Sequence, residues 1–316
     1  MELNKAKNIE RIRQLSLLFM LLLEIVLFSL LAERFFSFSN AISILRQVSV
    51  TGISAMGMFM IILLGDIDLS VGSMYAFIGV ISALIFKTTE SAVLAIIAAL
   101  VIGTVIGFIN GTITAKFKIP AFITTLATMS VCSGLAYIIT KGTPIGVTNP
   151  AFTFLGSGYV AGVIPLPIIF MLIVLALGYF TMYKTRFGRH IYACGGNAQA
   201  AKWSGINADK IKVLVFVIAG FLNGFAAIVL AGRLGGGLPS AGDGSEMDVI
   251  TAVVLGGTSM TGGKGKLWGV VLGVLIIGVL TVGLTMVGVS SYWQNVIKGI
   301  IIVVAVIIDT KGAKTA

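Results

Sequence analysis

Long apolar runs separated by short polar segments cover most of the chain. A helix rises about 1.5 Å per residue, so most of these runs are long enough to cross roughly 30 Å of hydrocarbon. The pattern predicts about ten transmembrane helices, although the eighth run is short and nine or eleven remain as alternatives. The ten runs lie at about 15–32, 45–64, 69–86, 92–114, 120–140, 163–182, 213–232, 249–258, 267–288 and 293–309.

The composition agrees with this pattern. Hydrophobic residues make up 57% of the 316 positions, charged residues make up 11%, and the mean hydropathy is +1.06. This composition excludes an ordinary soluble globular protein. We expect an all-α integral membrane protein in which residues 1–316 form a single transmembrane domain.

The basic residues predict an orientation. If both termini are cytoplasmic, 16 of the 22 Lys and Arg residues lie in cytoplasmic segments and 6 lie elsewhere. Cytoplasmic loops of membrane proteins carry an excess of Lys and Arg, so this orientation is favoured. The net charge of +10 therefore reflects topology. The scattered basic residues do not indicate a nucleic-acid partner, and the expected surroundings of the chain are membrane lipid.

Residues 183–212, called the polar segment below, interrupt the apolar pattern and carry 6 of the 22 basic residues. Asn197 is a good helix N-cap, Ala198 to Ser204 favours a helix, and Gly205 is a good left-handed stop. The segment therefore predicts a short capped helix on the cytoplasmic side.

Two carboxylates, Asp66 and Asp68, lie between apolar runs. Each would cost about 2.5 to 3.5 kcal/mol at the centre of a bilayer, so each needs water, a partner or a helix end. One interpretation is that Asp68 is the N-cap of the third span. The other is that a helix broken near 65–72 lines a transport path. The same two interpretations apply to Glu246 and Asp248 at a second break near 243–258.

Several uncharged polar residues also lie in or beside the predicted spans. Their side chains can hydrogen-bond to the hydroxyls of a transported solute or, as is more usual, to neighbouring helices. The residues assigned to the candidate path on this basis are Ser70, Asn110, Thr124, Thr128 and Asn223.

A weak internal repeat connects the two breaks. Ile67-Asp68-Leu69 and Met247-Asp248-Val249 are separated by five predicted spans. An odd number of spans inverts the second copy, which is how many transporters place a substrate site between two repeats. Glycines four residues apart follow both sequences, but such glycines are common in any closely packed helix bundle.

The sequence contains no convincing enzyme motif. Residues 256–265 are rich in glycine, but they lack the glycine and the Ser or Thr that a nucleotide-binding loop requires. Asp66 and Asp68 are only two residues apart, so they do not converge from separate elements as a catalytic aspartate pair does. We expect no catalytic residue, metal or cofactor on this chain.

Five sequence stretches together resemble the ribose-type permease subunits of bacterial ABC sugar importers, in the branched-chain amino acid/ribose permease family. The resemblance extends from about residue 40 to 310. The stretches are GDIDLSVGS (65–73), PAFITTLATMS (120–130), TRFGRHIYACGGNAQAAKWSGIN (185–207), EMDVITAVVLGGTSMTGGKGKLWG (246–269) and GVSSYWQNVIKGIIIVVAVIID (288–309).

The resemblance implies an importer of the bacterial inner membrane with several partner chains. These partners are a cytoplasmic ATPase with tandem nucleotide-binding domains that holds ATP and magnesium, an extracytoplasmic sugar-binding protein, and a second permease copy or a paralogue. It also implies that Asn197 to Gly205 is a coupling helix. Because the small residues Ala200 and Ala201 allow close approach of a partner surface, we expect Ala201 to face the ATPase. The residues expected to couple to the ATPase are Arg186, Gly188, Arg189, Asn197, Ala200, Ala201, Ser204 and Gly205.

Two positions depart from the pattern of this family. Asp66 stands where a small residue is usual, and Ser245 stands where a tyrosine is usual. The identity of the sugar therefore stays open. The competing hypothesis is a secondary transporter in which Asp66, Asp68, Glu246 or Asp248 binds a proton or cation.

Overall fold

The fold is a bundle of helices with two very small sheets. The computed structural model describes the backbone of residues 2–314 and the side chains of residues 14–307. The helices of this part are α1 (Glu2–Leu31), α2 (Phe38–Leu63), α3 (Val71–Thr89), α4 (Ala92–Lys116), α5 (Ala121–Thr140), α6 (Pro150–Ser157), α7 (Leu166–Lys184), α8 (Arg186–Gly196), α9 (Ala198–Trp203), α10 (Ala208–Leu234), α11 (Ser245–Leu255), α12 (Leu267–Met286) and α13 (Ser291–Lys314).

Eight helices in the described part of the chain are long and apolar enough to cross a membrane: α1 from Gln14 onward, α2, α3, α4, α5, α7, α10 and α12. The tenth predicted run forms α13, which is apolar over Ser291–Ile307. The eighth predicted run forms α11, which has only 11 residues. At about 1.5 Å per residue α11 covers roughly half of the hydrocarbon thickness. The prediction of an all-α membrane protein is confirmed, and the short eighth run forms a helix that does not span the membrane, in line with the break predicted near 243–258.

The centre of the bundle is the pair formed by α4 and α10. Both helices present glycines to each other, so their backbones touch: a Cβ atom added to Gly103 would lie 2.8 Å from the Cα atom of Gly224. Gly107 and Gly220 face each other in the same way. Small residues allow this close approach between membrane helices, where the lipid provides no hydrophobic force for association. The helix α10 of this pair also packs against α2 and α3.

Two short sheets lie at the opposite end of the bundle from the polar segment. Strand β1 (Ile145–Gly146) pairs with β4 (Gly236–Gly237), and β2 (Tyr159–Val160) pairs with β3 (Ile164–Pro165). The first sheet joins the chain that follows α5 to the chain that follows α10. The loop that was predicted between the fifth and sixth runs thus contains both a helix, α6, and a hairpin. The helix α6 carries a start signal that was not used, because Asn149 is its N-cap and Pro150 its first residue.

The chain after α10 turns back into the bundle and does not stay on its surface. The backbone of Gly237 packs against the backbone of Val80 in α3, and further along Gly242 packs against Gly72 in the first turn of α3. The helix α11 begins directly after this returning stretch. The first turns of α3 and α11 consequently lie side by side inside the bundle, as expected for two breaks related by an inverted repeat.

Candidate functional site

The candidate site is the place where the first turns of α3 and α11 meet. A Cβ atom added to Gly72 would overlap with the carbonyl oxygen of Gly242 and with the Oε2 atom of Glu246. Only a glycine allows the two helix starts to approach this closely. Helix starts have free N–H groups and the positive end of the helix dipole, so a pair of them favours polar or anionic groups.

Asp68 is buried beside this meeting point, with 3% of its surface exposed. Its Oδ1 atom accepts hydrogen bonds from the backbone N–H of Ser70 at 2.8 Å and from the Ser70 hydroxyl at 2.6 Å. The residue at the N-cap position of α3 is Ser70, and its own side chain makes no capping bond. The Asp68 carboxylate thus satisfies a free N–H at the start of α3, as predicted, although the N-cap position itself belongs to Ser70.

Four of the residues predicted for the path are connected by hydrogen bonds. The Asn110 side chain in α4 lies 3.5 Å from the Ser70 hydroxyl and accepts a 2.6 Å hydrogen bond from the hydroxyl of Thr128 in α5. The chain Asp68, Ser70, Asn110, Thr128 thus crosses from the break to α4 and α5. Its members are partly or fully buried, and a buried network of this kind orders the helices that it connects.

The break before α3 is also anchored directly to α5. The Thr125 hydroxyl accepts a hydrogen bond from the backbone N–H of Leu69 at 3.1 Å, and it lies 3.3 Å from the carbonyl oxygen of Ile67. These contacts satisfy part of the non-helical backbone, which has no water to bind inside a bilayer. Thr125 was not among the residues predicted for the path.

The second break is stabilised by an ion pair. Asp248 in the first turn of α11 lies 2.7 Å from the ammonium nitrogen of Lys298 in α13, and Lys298 is 7% exposed. Asp248 belongs to the predicted site, but Lys298 was not assigned to it. A lysine within an apolar run is itself a signal of a buried partner or a polar cavity, so the sequence could have identified Lys298.

Asp66 occupies a different environment from Asp68. Its Oδ2 atom lies 2.7 Å from the ammonium nitrogen of Lys212, near the start of α10. The structure therefore separates the two aspartates that are adjacent in the motif. Asp68 contributes to the buried network, whereas Asp66 ties the loop before α3 to the end of the polar segment.

Two predicted residues keep unused hydrogen-bonding capacity. The Oδ1 atom of Asn223 and the hydroxyl of Thr124 are buried and have no hydrogen-bond partner among the described residues. The Asn223 amide nitrogen lies 3.9 Å from the sulfur of Met74 in α3. Buried acceptors without partners are costly in a low-dielectric interior, and they are common where water or a solute binds in another state.

Sequence analysis missed Tyr75, which lies directly below the meeting point. Its hydroxyl donates a 2.6 Å hydrogen bond to the hydroxyl of Ser54 in α2, and its ring packs against Gly242. The tyrosine thus links α2, α3 and the stretch that leads into α11. Nothing in the local sequence distinguishes it from an ordinary aromatic residue of a membrane helix.

The polar segment folds as two helices, α8 and α9. The predicted N-cap of α9 is confirmed, because the Oδ1 atom of Asn197 accepts a 2.9 Å hydrogen bond from the backbone N–H of Ala200. Gly205 has a φ of +81°, as predicted for a left-handed stop. The first helix was not predicted; it includes Arg186, Gly188 and Arg189, and both arginines are exposed.

The expectation that Ala201 faces a partner is wrong. Ala201 is 5% exposed and packs into the core of its own chain. The exposed side of α9 carries Ala200, Lys202 and Trp203, and Trp203 is 80% exposed. A helix of under two turns has distinct faces, and the spacing alone could not show which face the chain itself covers.

The polar segment contacts the end of α2 and the loop between α11 and α12. The hydroxyl of Tyr192 in α8 donates a 2.8 Å hydrogen bond to the carbonyl oxygen of Gly265. Burial raises the pKa of Tyr192, so the hydroxyl stays protonated as a donor at neutral pH. The backbone of Gly195 packs against Leu63 at the end of α2, and Leu63 accepts a 2.8 Å hydrogen bond from the N–H of Gly263.

The family described as "Branched-chain amino acid transport system / permease component" matches residues 40–306. The chain belongs to this family. It is a permease component and a multi-pass protein of the bacterial inner membrane, as predicted, and members of the family are not enzymes.

Relatives in well-studied bacteria cover nearly the whole chain. A ribose import permease protein of Haemophilus influenzae is 45% identical over 293 residues, covering 92% of this chain and 90% of that protein. A ribose import permease protein of Escherichia coli is 43% identical over 295 residues, with 92% of each chain covered. A xylose transport system permease protein of Haemophilus influenzae is 34% identical, covering 89% of this chain and 91% of that protein. No solved structure matches the chain.

Proposed function

We propose that this permease component forms the translocation path of an ATP-driven importer for a monosaccharide, in the class of ribose, xylose and arabinose. The chain itself performs no covalent chemistry, and ATP with magnesium binds on a separate ATPase with tandem nucleotide-binding domains. The observation that carries the proposal is the polar segment. It presents an exposed helix on one side and, on the other, contacts the end of α2 and the loop between α11 and α12.

This connection explains how a partner could drive the path. Movement of α9 is transmitted to α8, and α8 touches the end of α2 and the loop between α11 and α12 through Gly195 and Tyr192. The ion pair between Asp66 and Lys212 adds a second link, from the start of α10 to the loop before α3. Rigid contacts of this kind transmit motion because packed interfaces shift between discrete arrangements.

The proposal places the polar segment and both termini in the cytoplasm. Cys194 is a poor probe of this orientation, because it is buried and burial raises the pKa of its thiol. A better test starts from a variant with Cys132→Ser and Cys194→Ser and adds one exposed cysteine, either Gln199→Cys or Thr143→Cys. In right-side-out vesicles an impermeant thiol reagent should label position 143 and spare position 199. The reverse pattern contradicts the orientation.

A second copy of the permease, or a paralogue, is part of the same proposal. The helix α5 is exposed along much of its length, and its exposed positions include Ser130 and Gly134. A Cβ atom added to Gly134 would meet no other atom within 4 Å. Small residues on an exposed membrane helix suit close association with another helix.

The competing secondary transporter requires a free carboxylate that binds a proton or cation. Asp66 and Asp248 are each paired with a lysine, which supports a structural role for them. The decisive experiment measures sugar uptake into proteoliposomes that contain the permease, its ATPase and its binding protein. We expect uptake to require ATP and to survive a protonophore. Uptake that needs the gradient but not ATP would replace the importer hypothesis with the secondary transporter.

A further inference from the structure

The start of α11 lies inside the membrane. The helices α11 and α12 run antiparallel: the backbones of Gly256 and Gly269 touch, and one turn further those of Ala252 and Gly273 touch. The helix α11 begins seven residues before Ala252, so its start lies level with a point seven residues after Gly273. That point is about 9 Å before the end of α12, which is long enough to cross a membrane. Glu246, the second residue of α11, therefore lies at membrane depth.

The Glu246 carboxylate lies where the starts of α3 and α11 meet. Its Oε2 atom packs so closely against Gly72, in the first turn of α3, that a Cβ atom on Gly72 would overlap with it. Glu246 also belongs to the first turn of α11. Neither N-cap residue, Ser70 or Gly244, provides a capping bond through a side chain. The carboxylate thus contacts two helix starts whose N-cap residues do not cap them.

The charge of Glu246 faces these helix starts and no basic side chain. In the part of the chain that the structure describes, no Lys or Arg nitrogen lies within 4 Å of its carboxylate. The neighbouring Asp248 is instead paired with Lys298 at 2.7 Å. Each helix start carries about half a positive charge and stabilises a negative group beside it. Two converging helix starts therefore suit one carboxylate.

The exposure of Glu246 indicates a polar space beside it. Glu246 is partly exposed, and Asp243 in the loop before α11 is exposed. A charge that faced lipid at this depth would be unfavourable, so we expect both carboxylates to face a water-filled path. The exposed Asn295 of α13 adds an amide to this surface, because its Oδ1 atom would lie 3.7 Å from a Cβ atom on Gly244. Asp68 differs from these residues, because it is 3% exposed and belongs to the buried network.

The position of Glu246 matches the place of a solute in other transporters. Helix starts inside the membrane can bind the carboxylate of an anionic solute, but here the carboxylate of Glu246 already lies against them. An anionic solute would meet this negative charge at short range in a medium of low dielectric constant, which is strongly unfavourable. The hydroxyls of a neutral sugar can instead donate hydrogen bonds to the carboxylate, and such bonds are stronger than those between neutral groups.

We propose that Glu246 determines the charge of the transported solute: it admits neutral sugars and excludes their anionic derivatives, such as aldonates and sugar phosphates. This proposal rests on the proposed function, since it adds a specificity-determining residue to the path. The negative charge at the two helix starts causes the exclusion, so an uncharged side chain at position 246 should allow an anion to bind there.

The test measures the melting temperature of the purified permease in lipid nanodiscs while D-ribonate or D-ribose is added at constant ionic strength. A ligand that binds only the folded protein raises its melting temperature. We expect ribonate to stabilise Glu246→Gln at concentrations at least about tenfold below those that have any effect on the wild type. Glu246→Ser is a second uncharged variant, and it should respond to ribonate in the same way. Glu246→Asp keeps the charge and should behave like the wild type.

Two matched controls remove a carboxylate elsewhere. Glu90→Gln changes an exposed carboxylate at the opposite end of α3, and Asp243→Asn changes an exposed carboxylate three residues before Glu246. Neither control should gain the response to ribonate. An equal response of Asp243→Asn and Glu246→Gln would show that the total charge decides and not the position of Glu246, and would overturn the proposal.

Three other outcomes also overturn it. The first is stabilisation of the wild type by ribonate, which is decisive even if the variants at position 246 do not fold. The second is a folded Glu246→Gln protein that ribonate does not stabilise. The third is stabilisation of the wild type, but not of Glu246→Gln, by sodium ions, because Glu246 would then bind a cation.

The same change should appear in transport. In proteoliposomes with the ATPase and the binding protein, external ribonate should inhibit sugar uptake by Glu246→Gln but not by the wild type, at concentrations that leave sugar binding to the isolated binding protein unchanged. The melting experiment needs neither partner chain. A failure of the importer function would therefore appear as wild-type uptake that does not require ATP, whereas a failure of the role of Glu246 would appear in the melting temperatures.

Discussion

Asp66 and Lys212 form an ion pair that connects the loop before α3 to the start of α10, with 2.7 Å between Oδ2 and Nζ. The two residues are 146 positions apart in the chain, and both side chains are largely buried, at 13% and 27% exposed. The ion pair therefore joins two segments that are distant in the chain.

Removal of either partner should destabilise the protein because it leaves a largely buried charge unpaired. We expect Asp66→Asn and Lys212→Met to be non-additive, with a coupling free energy of about 0.5–3 kcal/mol in a double-mutant cycle. The measurement is unfolding of the purified chain in mixed detergent micelles. Lys210→Met is the control, since Lys210 is exposed two residues earlier. Fully additive effects on the free energy of unfolding would show that the ion pair contributes nothing to stability.

Substitutions of Asp68 distinguish the two transport hypotheses. Asp68→Asn keeps an oxygen that can accept both hydrogen bonds from Ser70, whereas Asp68→Ala loses two bonds worth about 0.5–1.5 kcal/mol each. We therefore expect higher uptake for Asp68→Asn than for Asp68→Ala in ATP-loaded proteoliposomes. A proton-coupled carrier predicts equal loss in both variants, because an amide cannot release a proton.

The close approach of α3 and α11 depends on Gly72. Gly72→Ala places a methyl group against the Gly242 carbonyl oxygen and the Glu246 carboxylate, and such overpacking typically costs about 1–3 kcal/mol. Gly299→Ala is a matched control in α13, where the new methyl group meets no atom within 4 Å. We expect a lower melting temperature and lower uptake for Gly72→Ala alone. Equal behaviour of the two variants would mean that the helix starts move apart at little cost.

The exposed face of α9 gives a test of ATPase docking. Trp203→Ala should weaken co-purification of the ATPase, because buried tryptophans at interfaces often contribute about 2 kcal/mol or more. Tyr292→Ala is the control, since Tyr292 is 84% exposed at the start of α13. Ala201→Asp should instead lower the amount of folded protein, because position 201 is buried in its own chain. Normal co-purification of Trp203→Ala would exclude this face as the contact.

Local features were predictable from the sequence alone. The apolar runs located the helices, because the free energy of placing a segment in a bilayer depends mainly on its own side chains. The cap at Asn197 and the stop at Gly205 were also correct, since both depend on residues within one helical turn. The same sequence indicated the two breaks through the carboxylates at 66, 68, 246 and 248.

The partners of those carboxylates were decided by the tertiary structure. Asp248 meets Lys298 on another helix, and Asp68 reaches Thr128 only through Ser70 and Asn110. Ala201 turned out to be buried because other parts of the chain cover its side of α9. Sequence spacing determines which residues share a helix face, but the packing of distant helices determines which face is covered. For this chain the sequence by itself therefore determined the membrane-spanning class and the positions of the polar breaks, while the packing of helices that are distant in the chain determined which charges meet.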